Sequence, residues 1–333
     1  MGWREDRNLA PSRIQTFQQC QRRYRYGYVD GYRPVAKAQP LRFGSLMHDA
    51  LETWWRAIAA GAANPLDQAL YAMVDNKHVA DPFDLALARA LIAVSHRRWI
   101  DEARRSTVLA VEEDLDLAIG AVDGHDIHLR GRVDVLIENE QGTFVLEHKT
   151  TASIDPGSPF WRQLRLAPQA TAYYLGAEAI LGRPVDGCVY DVLGKPGTKP
   201  SKATANPKFR KDGQPYANTR LADETPEEFE VRLLEVLASD PDTYFQRQLE
   251  TRLADECDAF RAQLHAVARQ IDFAHHDGGF PMNPEACFGP FGRSECPFFC
   301  VCSREQSIDD PFLFYRADGA EELIHASDPG TEA

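Results

Sequence analysis

The stretch GRVDVLIENEQGTFVLEHKTT (residues 131–151) has the pattern of two apolar strands joined by a polar turn. Asp134 lies near its start, and Glu147, His148 and Lys149 lie near its end. Burying charge without partners is costly, so such residues either lie outside the sheet or share an ion. Because side chains alternate along a strand, Glu147 and Lys149 share one face and His148 points the other way. Antiparallel pairing through the polar turn can bring Asp134 close to Glu147.

Two adjacent carboxylates repel each other, and a divalent cation relieves that repulsion. Oxygen ligands select a hard ion such as Mg²⁺ or Mn²⁺. Lys149, beside the ion, could orient or help deprotonate an attacking water and offset charge on a phosphoryl oxygen. The spacing Asp134-x12-Glu147-x-Lys149 therefore suits metal-assisted cleavage of a phosphodiester. A salt bridge at the end of a strand is the alternative that these residues leave open when taken alone.

The bulk composition is that of a soluble globular protein, with 333 residues, 44% of them hydrophobic and 26% charged. No stretch is long and apolar enough to span a membrane, so no membrane association is expected. The first residues, MGWREDRNLAPS, lack the apolar core of a secretory signal. We therefore expect a cytoplasmic protein with reduced thiols.

The charge is unevenly distributed over the chain. A formal net charge of -13 disfavours wholesale attraction to nucleic acid, but residues 1–34 and 195–211 are basic. The candidate DNA-binding residues in these two patches are Arg22, Arg23, Arg25, Lys195, Lys199, Lys202, Lys208, Arg210 and Lys211. Solvated loops are the alternative for each patch. Tyr24, Tyr26 and Tyr28 interleave with the arginines and could stack on bases, although a helix whose tyrosines face the core is favoured.

Hydrophobic periodicity predicts an α/β core preceded by helices. The first helix is predicted to begin at a Ser12 cap and the second at Ser45. The elements predicted next are helices within 66–105, strands at 108–119, 125–138 and 143–150, a helix at 160–182 and a strand at 185–193. A Pro-, Gly- and Lys-rich segment then predicts a flexible loop. Thr225 begins a strongly capped helix, and helices are predicted to continue to about residue 276.

Four further motifs accompany the 131–151 hairpin. They are a G-x-x-x-H helix in FGSLMHDALE, a Q-x-x-x-Y helix in QATAYYL, a cysteine in FQQCQRRYRY and the cysteine-rich CFGPFGRSECPFFCVC. Together they resemble the PD-(D/E)XK nuclease superfamily, specifically the RecB-like branch that carries an iron–sulfur cluster. That branch includes CRISPR-adaptation exonucleases, the nuclease domain of the AddB helicase subunit and phage-encoded exonucleases. The resemblance covers most of the chain, in the family's order.

The resemblance implies a restriction-endonuclease-like α/β fold, in which a mixed central sheet is flanked by helices. A helical insertion and a C-terminal cysteine-rich iron–sulfur module accompany this core. The implied segments are an N-terminal helix with the first cluster cysteine (1–35), a helical region (36–106), the nuclease core (107–194), a basic flexible loop (195–224), C-terminal helices (225–280), the cysteine module (281–316) and a disordered tail (317–333).

The resemblance also implies roles for individual residues. The implied metal ligands are His48, Asp134, Glu147 and the backbone carbonyl of His148. The implied catalytic residues are Asp134, Glu147, Lys149, Gln169 and Tyr173, of which the last two would position the phosphate or the water. Glu112, on the strand before the hairpin, resembles an additional acidic position of the family, and a solvated strand residue is the equal alternative.

The cysteines form a second candidate site. Four of the seven lie within sixteen residues near the C-terminus, and in a reduced compartment such crowding indicates metal more than disulfides. The tight pairs typical of a zinc site are missing, so zinc is the less favoured alternative. By resemblance, the ligands of a [4Fe–4S] cluster are Cys20, Cys287, Cys296 and Cys302, with Cys300 as a rival. Cys188 and Cys257 are expected to be core thiols.

These features predict a metal-dependent DNA exonuclease that acts on single strands or DNA ends, in recombination, repair or phage DNA processing. Two alternatives remain open: a non-catalytic DNA-binding or scaffold subunit with a decayed site, and a sequence-specific endonuclease of the same superfamily. The helicase motif G-x-x-x-x-G-K-[ST] is absent from the sequence. A helicase or recombination partner would therefore be a separate chain.

Overall fold

The computed structural model describes residues 7–152, 154, 159–217, 219–289 and 295–317. Its helices are α1 (Pro11–Gln19), α2 (Gln21–Tyr24), α3 (Gln39–Ala59), α4 (Pro65–Ala72), α5 (Pro82–Arg105), α6 (Phe160–Leu166), α7 (Pro168–Leu181), α8 (Pro226–Ser239), α9 (Pro241–Tyr244), α10 (Ala254–Asp277) and α11 (Phe299–Cys302). Its strands are β1 (Asn8–Leu9), β2 (Tyr32–Pro34), β3 (Thr107–Val122), β4 (His125–Asn139), β5 (Gly142–Thr151), β6 (Gly187–Gly194), β7 (Phe245–Glu250) and β8 (Phe314–Arg316).

A six-stranded mixed sheet lies at the centre of the described structure. Strands β3, β4 and β5 pair antiparallel, β5 and β6 pair parallel, and β6 and β7 pair antiparallel. The parallel step requires a crossover, which α6 and α7 supply. The short β1 pairs parallel with β4, while β2 and β8 form a separate two-stranded sheet. This mixed sheet with flanking helices agrees with the predicted fold class.

Each face of the central sheet packs on its own hydrophobic core. One core contains Val145 of β5 together with side chains of α7 and α10, and the other contains Leu146 together with side chains of α3, α5 and α8. Neighbouring residues of β5 therefore lie in different cores, as the alternation of side chains along a strand requires. Burial on both faces explains the nearly continuous apolar runs of β4 and β5.

The start of the described chain meets α10 and the segment after it on the first core. Leu9 of β1 and Phe280 after α10 both belong to it. Arg7 donates to the carbonyl of Val122 at 2.8 Å and forms an ion pair of 2.9 Å with Asp272 of α10. Both side chains of this ion pair are buried. The first core is thus closed by residues that are far apart in the sequence.

Several helix boundaries differ from those predicted. Helix α1 begins at Pro11 with Ala10 as its N-cap, so Ser12 is not the cap. Helix α3 begins at Gln39, six residues before the predicted start at Ser45. In both helices a proline occupies the first turn, where its fixed φ and missing N–H are tolerated.

Two predicted helical segments are interrupted. The segment at 160–182 breaks before Pro168, because the residue that precedes a proline disfavours the helical conformation. The segment after residue 225 contains the unpredicted strand β7, which lies at the edge of the sheet beside β6. The cap of α8 is confirmed: Thr225 accepts from the backbone N–H of Glu228, whose carboxylate accepts from the N–H of Thr225.

The described residues of 195–224 contain no helix and no strand, as predicted for this loop. The predicted disordered tail lies outside the described residues except for Ala317, and so does part of the predicted cysteine module, at 290–294. None of the described helices is both long and apolar enough to cross a membrane.

Candidate functional site

The paired strands β4 and β5 bring Asp134 and Glu147 together. Val135 pairs with Leu146, so Asp134 and Glu147 occupy the next position along the two strands. The Asp134 carboxylate accepts from the backbone N–H of His148 at 2.8 Å. Asp134 is 8% exposed and Glu147 is 2% exposed. The convergence predicted from the hairpin pattern is therefore present, and it lies inside the protein.

His48 and Glu112 join this pair from two other elements. The Nδ1 atom of His48 on α3 lies 3.5 Å from Oδ2 of Asp134. One ligand atom each of His48, Glu112 and Asp134 lie within 4.8 Å of one another. A histidine and two carboxylates at such separations form a candidate site for a cation with hard ligands.

Glu112 has an unusual backbone conformation. It lies beside Asp134, because Val111 pairs with Val135 and Glu113 pairs with Val133. Its φ angle is 53°, in the left-handed region that few residues other than glycine adopt. Such backbone strain persists only where the surrounding structure holds it, and it is common at functional sites. No sequence pattern predicted this conformation.

The carboxylate of Glu147 is only half satisfied. Its Oε1 accepts from Nζ of Lys149 at 2.8 Å, whereas its Oε2 has no hydrogen-bond partner among the described residues. A buried acceptor without a partner costs about 1–3 kcal/mol. An oxygen of this kind, next to the His48, Glu112 and Asp134 group, is a suitable ligand for a cation.

The electrostatic coupling within the group is strong. Burial alone would lower the pKa of His48, but the Asp134 carboxylate, with Glu147, raises it to about 9. Burial would raise the pKa of Asp134, but His48 holds it down at about 2. Burial and the charge of Asp134 raise the pKa of Glu147 to about 7 and that of Glu112 to about 8. Several of these groups therefore keep a proton at neutral pH while no cation is bound.

Gln169 and Tyr173 lie one turn apart on α7, as predicted, and they contact each other. Nε2 of Gln169 donates to the hydroxyl of Tyr173 at 2.9 Å. Burial, and then the negative charges of Glu147 and Asp134, raise the pKa of Tyr173 well above its usual value. The Tyr173 hydroxyl is therefore neutral, and it lies close enough to Glu147 and Asp134 for their charges to affect it.

The side chain of His148 points to the other face of the sheet, as predicted. Its Nε2 accepts from the indole N–H of Trp55 on α3 at 3.0 Å. An indole only donates, so the proton of the neutral imidazole is on Nδ1. That atom lies 3.1 Å from Oδ2 of Asp191 on β6. Both His148 and Asp191 are buried.

Asp191 is in turn held by Arg247 on β7. Nε of Arg247 donates to Oδ1 of Asp191 at 3.0 Å, and Nη1 donates to Glu102 at 2.7 Å. The guanidinium also lies 3.9 Å from the ring centre of Trp99. Although burial opposes it, Arg247 holds the pKa of Asp191 well below its usual range. Asp191 and Arg247 were not candidates from the sequence, although the single acid in the apolar run CVYDVL (188–193) is a signal of a buried partner.

The predicted cluster cysteines lie in one region of the structure. Among the described residues, however, the group placed to hold a metal ion is that of His48, Glu112 and Asp134, and no group of cysteines meets the same condition. The backbone N–H of Asn283 donates to Sγ of Cys20 at 3.4 Å, and that of Cys296 donates to the carbonyl of Cys287 at 2.8 Å. Burial raises the pKa of Cys296 to about 11, and the neighbouring thiols of Cys20 and Cys287 add to this rise. Burial and the same two thiols raise the pKa of Cys302.

The two cysteines expected in the core are found there. Cys188 is 1% exposed and Cys257 is 6% exposed, and both belong to the first core.

The N-terminal arginines differ in their access to solvent. Arg23 is buried, so its guanidinium is not available to a DNA backbone in this structure, contrary to the prediction. Arg22 donates to the carbonyl of Phe280, and half-exposed Arg25 pairs with Asp30. The hydrogen bond of Arg22 connects the N-terminal helices to the segment after α10.

The tyrosines among these arginines mostly face the interior. Tyr24 and Tyr28 are buried in the first core, as favoured from the sequence. The ring of Tyr26 lies 5.3 Å from that of Phe298, beside the cysteines.

A model of the PD-(D/E)XK nuclease superfamily matches residues 8–303. The chain belongs to the PD-(D/E)XK nuclease superfamily. Membership implies nuclease activity that depends on a divalent metal. Among solved structures, the chain is similar to the crystal structure of SSO0001, with 14% identity and a TM-score of 0.27, over 71% of this chain and 75% of that one. None of the curated proteins matches it.

The buried ion pair beside the nuclease site allows a test of how the site is supported. We expect Arg247→Met to lower the free energy of unfolding by about 3–5 kcal/mol, because it leaves the buried Asp191 charge unpaired. The matched change Arg261→Met removes an exposed ion pair with Asp258 and should cost less than about 1 kcal/mol. Urea unfolding curves measure both values. Equal losses in the two variants would contradict the structural assignment.

Proposed function

We propose that this superfamily member is a DNA exonuclease of the RecB-like branch, acting on single strands or DNA ends in recombination, repair or phage DNA processing. The observation that supports the proposal best is the grouping of His48, Glu112 and Asp134 within 4.8 Å, beside a Glu147 oxygen without a partner among the described residues. The donor set of one imidazole and several carboxylates fits Mg²⁺ or Mn²⁺.

In this proposal five groups hold the ion: the side chains of His48, Glu112, Asp134 and Glu147, and the backbone carbonyl of His148. When bound, the cation supplies Lewis-acid stabilisation of the phosphate and lowers the pKa of a water. The hydrogen bond from the His148 N–H to Asp134 connects β5 to the carboxylate. Glu112 is added to the ligands expected from the sequence, because one of its carboxylate oxygens lies within 4.8 Å of ligand atoms of His48 and Asp134.

Lys149 contributes a positive charge in this proposal. Burial would lower the pKa of its ammonium, but Glu147 at 2.8 Å raises it above its usual value. A lysine that stays protonated stabilises negative charge on a phosphoryl oxygen rather than removing a proton from water. Of the two roles considered from the sequence, the electrostatic one is therefore favoured. Gln169 and Tyr173, hydrogen-bonded to each other, would orient the phosphate or the water.

We also propose that Cys20, Cys287, Cys296 and Cys302 hold a [4Fe–4S] cluster. Four thiolates suit such a cluster, and the four cysteines lie near the two ends of the sequence. The charges of Cys20 and Cys287 contribute to the raised pKa values of both Cys296 and Cys302. The charge of Cys300 also raises the pKa of Cys302, so Cys300 stays a rival for the fourth ligand position. The cluster would connect the segment between α1 and α2 to the C-terminal cysteines.

Cleavage assays test the catalytic assignment. With Mg²⁺ or Mn²⁺, the protein should degrade linear DNA labelled at either end and leave closed circular DNA intact, because an exonuclease requires an end. Asp134→Ala and Lys149→Ala should abolish cleavage, because they remove a metal ligand and the nearby positive charge. The matched exposed changes Asp126→Ala and Lys77→Ala should retain it. Full activity of a folded Asp134→Ala or Lys149→Ala protein would refute the assignment, and cleavage of circles would indicate an endonuclease.

Metal binding should depend on pH. His48, Glu112 and Glu147, with pKa values of about 9, 8 and 7, must lose protons before they can bind a cation. The affinity for Mn²⁺ should therefore rise from pH 6 to pH 8, by about tenfold per pH unit for each proton released. Titration of free Mn²⁺ by electron paramagnetic resonance measures this without cleavage. An affinity independent of pH, or one unchanged in Asp134→Ala, would contradict the ligand set.

The cluster proposal predicts the metal content of the purified protein. Anaerobically purified protein should contain about four iron atoms and four sulfides per chain and absorb visible light. Cys20→Ala and Cys302→Ala should lower the iron content, whereas Cys300→Ala and the core change Cys257→Ala should retain it. Zinc in place of iron would overturn the cluster proposal. Loss of iron in Cys300→Ala but not in Cys302→Ala would reverse the choice of the fourth ligand.

A further inference from the structure

The segment between β6 and α8 folds back on itself, and we call residues 199–224 the arm. At its base, Ser201 and Glu224 are joined by two hydrogen bonds, of 2.7 Å and 2.9 Å, and the N–H of Thr204 donates to the carbonyl of Arg220 at 2.8 Å. Glu224 is buried and accepts from Arg232 of α8 at 2.8 Å and 2.6 Å. The base of the arm is therefore attached to the helical layer.

The far end of the arm, residues 208–216, is a tight antiparallel turn that we call the tip. Phe209 and Pro215 form an isolated β-bridge, and the N–H of Arg210 donates to the carbonyl of Gln214 at 2.7 Å. These hydrogen bonds hold two short stretches side by side. Residues on both stretches are therefore presented together.

Two aromatic rings of the tip are exposed. Phe209 is 50% exposed and Tyr216 is 54% exposed, and neither belongs to either hydrophobic core. The guanidinium of Arg210 lies 5.8 Å from the ring centre of Tyr216. Large rings in water contribute little to folding, but their faces can stack on nucleic-acid bases.

The charge of the tip is available, whereas that of the base is neutralised. Lys202 near the base pairs with Asp223 at 3.0 Å. Lys208 and Lys211 of the tip are exposed, and no ion-pair partner for them is found among the described residues. The acid of the tip, Asp212, accepts from the backbone N–H of Gln214. Cations next to exposed rings are the combination that binds a flexible polyanion with bases.

The chain enters the arm beside the end of β5 and the start of α3. Lys195, just before the arm, donates its N–H to the carbonyl of Thr151 at the end of β5, at 2.7 Å. Its Nζ lies 5.1 Å from the ring centre of Phe43 on α3, the helix that carries His48. A strand bound along the arm would therefore lead towards the end of β5, where Lys149 lies.

We propose that the tip binds single-stranded DNA, with Phe209 and Tyr216 stacked on bases and Lys208 and Lys211 at phosphates. Unpaired bases are required, because in a duplex the faces of the bases are covered by their neighbours. This inference rests on the proposed function, and it names single-stranded DNA as the substrate class. It also gives the basic loop a structured binding surface, whose two aromatic rings distinguish single-stranded DNA from duplex DNA.

The test is fluorescence anisotropy of labelled oligothymidylate, and of a duplex of equal length, with the full chain and without divalent cations. Phe209→Ala and Tyr216→Ala should each weaken single-strand binding by roughly five- to a hundredfold. Tyr216→Phe should retain the affinity, because the ring remains. Tyr71→Ala, which removes a ring that is 81% exposed on α4, is the matched control and should change nothing.

A charge variant gives an independent measurement. Lys208→Gln together with Lys211→Gln should lower the slope of log affinity against log salt by about 0.7 for each phosphate that is no longer neutralised. Unchanged single-strand binding in the aromatic variants would overturn the inference, and so would an equal loss of duplex binding or no binding by the original chain. Thermal unfolding of each variant shows whether it is folded.

Cleavage of the same oligonucleotide with Mg²⁺ by the original chain is measured separately. If the original chain cleaves the oligonucleotide but the Phe209→Ala and Tyr216→Ala variants bind it with unchanged affinity, the inference about the tip is wrong and the nuclease proposal stands. If it does not cleave while the aromatic variants lose single-strand binding, the nuclease proposal fails and the tip remains a binding site.

Discussion

Repulsion among two buried carboxylates and a half-buried one is the constraint on which the rest of this structure depends. Glu112, Asp134 and Glu147 come from three adjacent strands, and the Asp134 charge raises the pKa of each of the other two. His48 and Lys149 balance only part of this charge. Such a group is costly in a protein interior unless it binds a cation or keeps protons. The strained backbone of Glu112 shows that the fold maintains this arrangement against its own local preference.

The supporting structure around the site follows from the position of β5. This strand lies between β4 and β6, so one of its residues, Glu147, belongs to the carboxylate group and the next, His148, contacts α3 and β6 on the other face. Asp191 and Arg247 extend this contact to the edge strand. Helix α3 thereby contacts the backbone that presents the carboxylates through Trp55, and it also supplies His48 to the carboxylate group.

Local sequence patterns predicted what depends on nearby residues. A hairpin whose register follows from its turn must bring Asp134 and Glu147 together, and the Thr225 cap involves a residue three positions away. Contacts between segments that are far apart in the sequence were harder to predict from local patterns. Arg247 meets Asp191 across 56 positions of sequence, and its strand FQRQLE has too few apolar residues to be recognised as a strand. Backbone angles such as φ at Glu112 are set by the assembled sheet and have no sequence signature.

The meeting of Arg7 and Asp272 on the first core has a consequence for biosynthesis. The ion pair connects the start of the described chain to α10, so the core is closed by residues that are more than 260 positions apart. Contacts over such sequence separations form late, because a long loop must be ordered first. While the polypeptide is being made on the ribosome, β1 and β4 are exposed before α10 has emerged. Until α10 is made, the apolar side chains that β1 and β4 contribute to the first core therefore lack the α10 side chains that cover them in the finished protein.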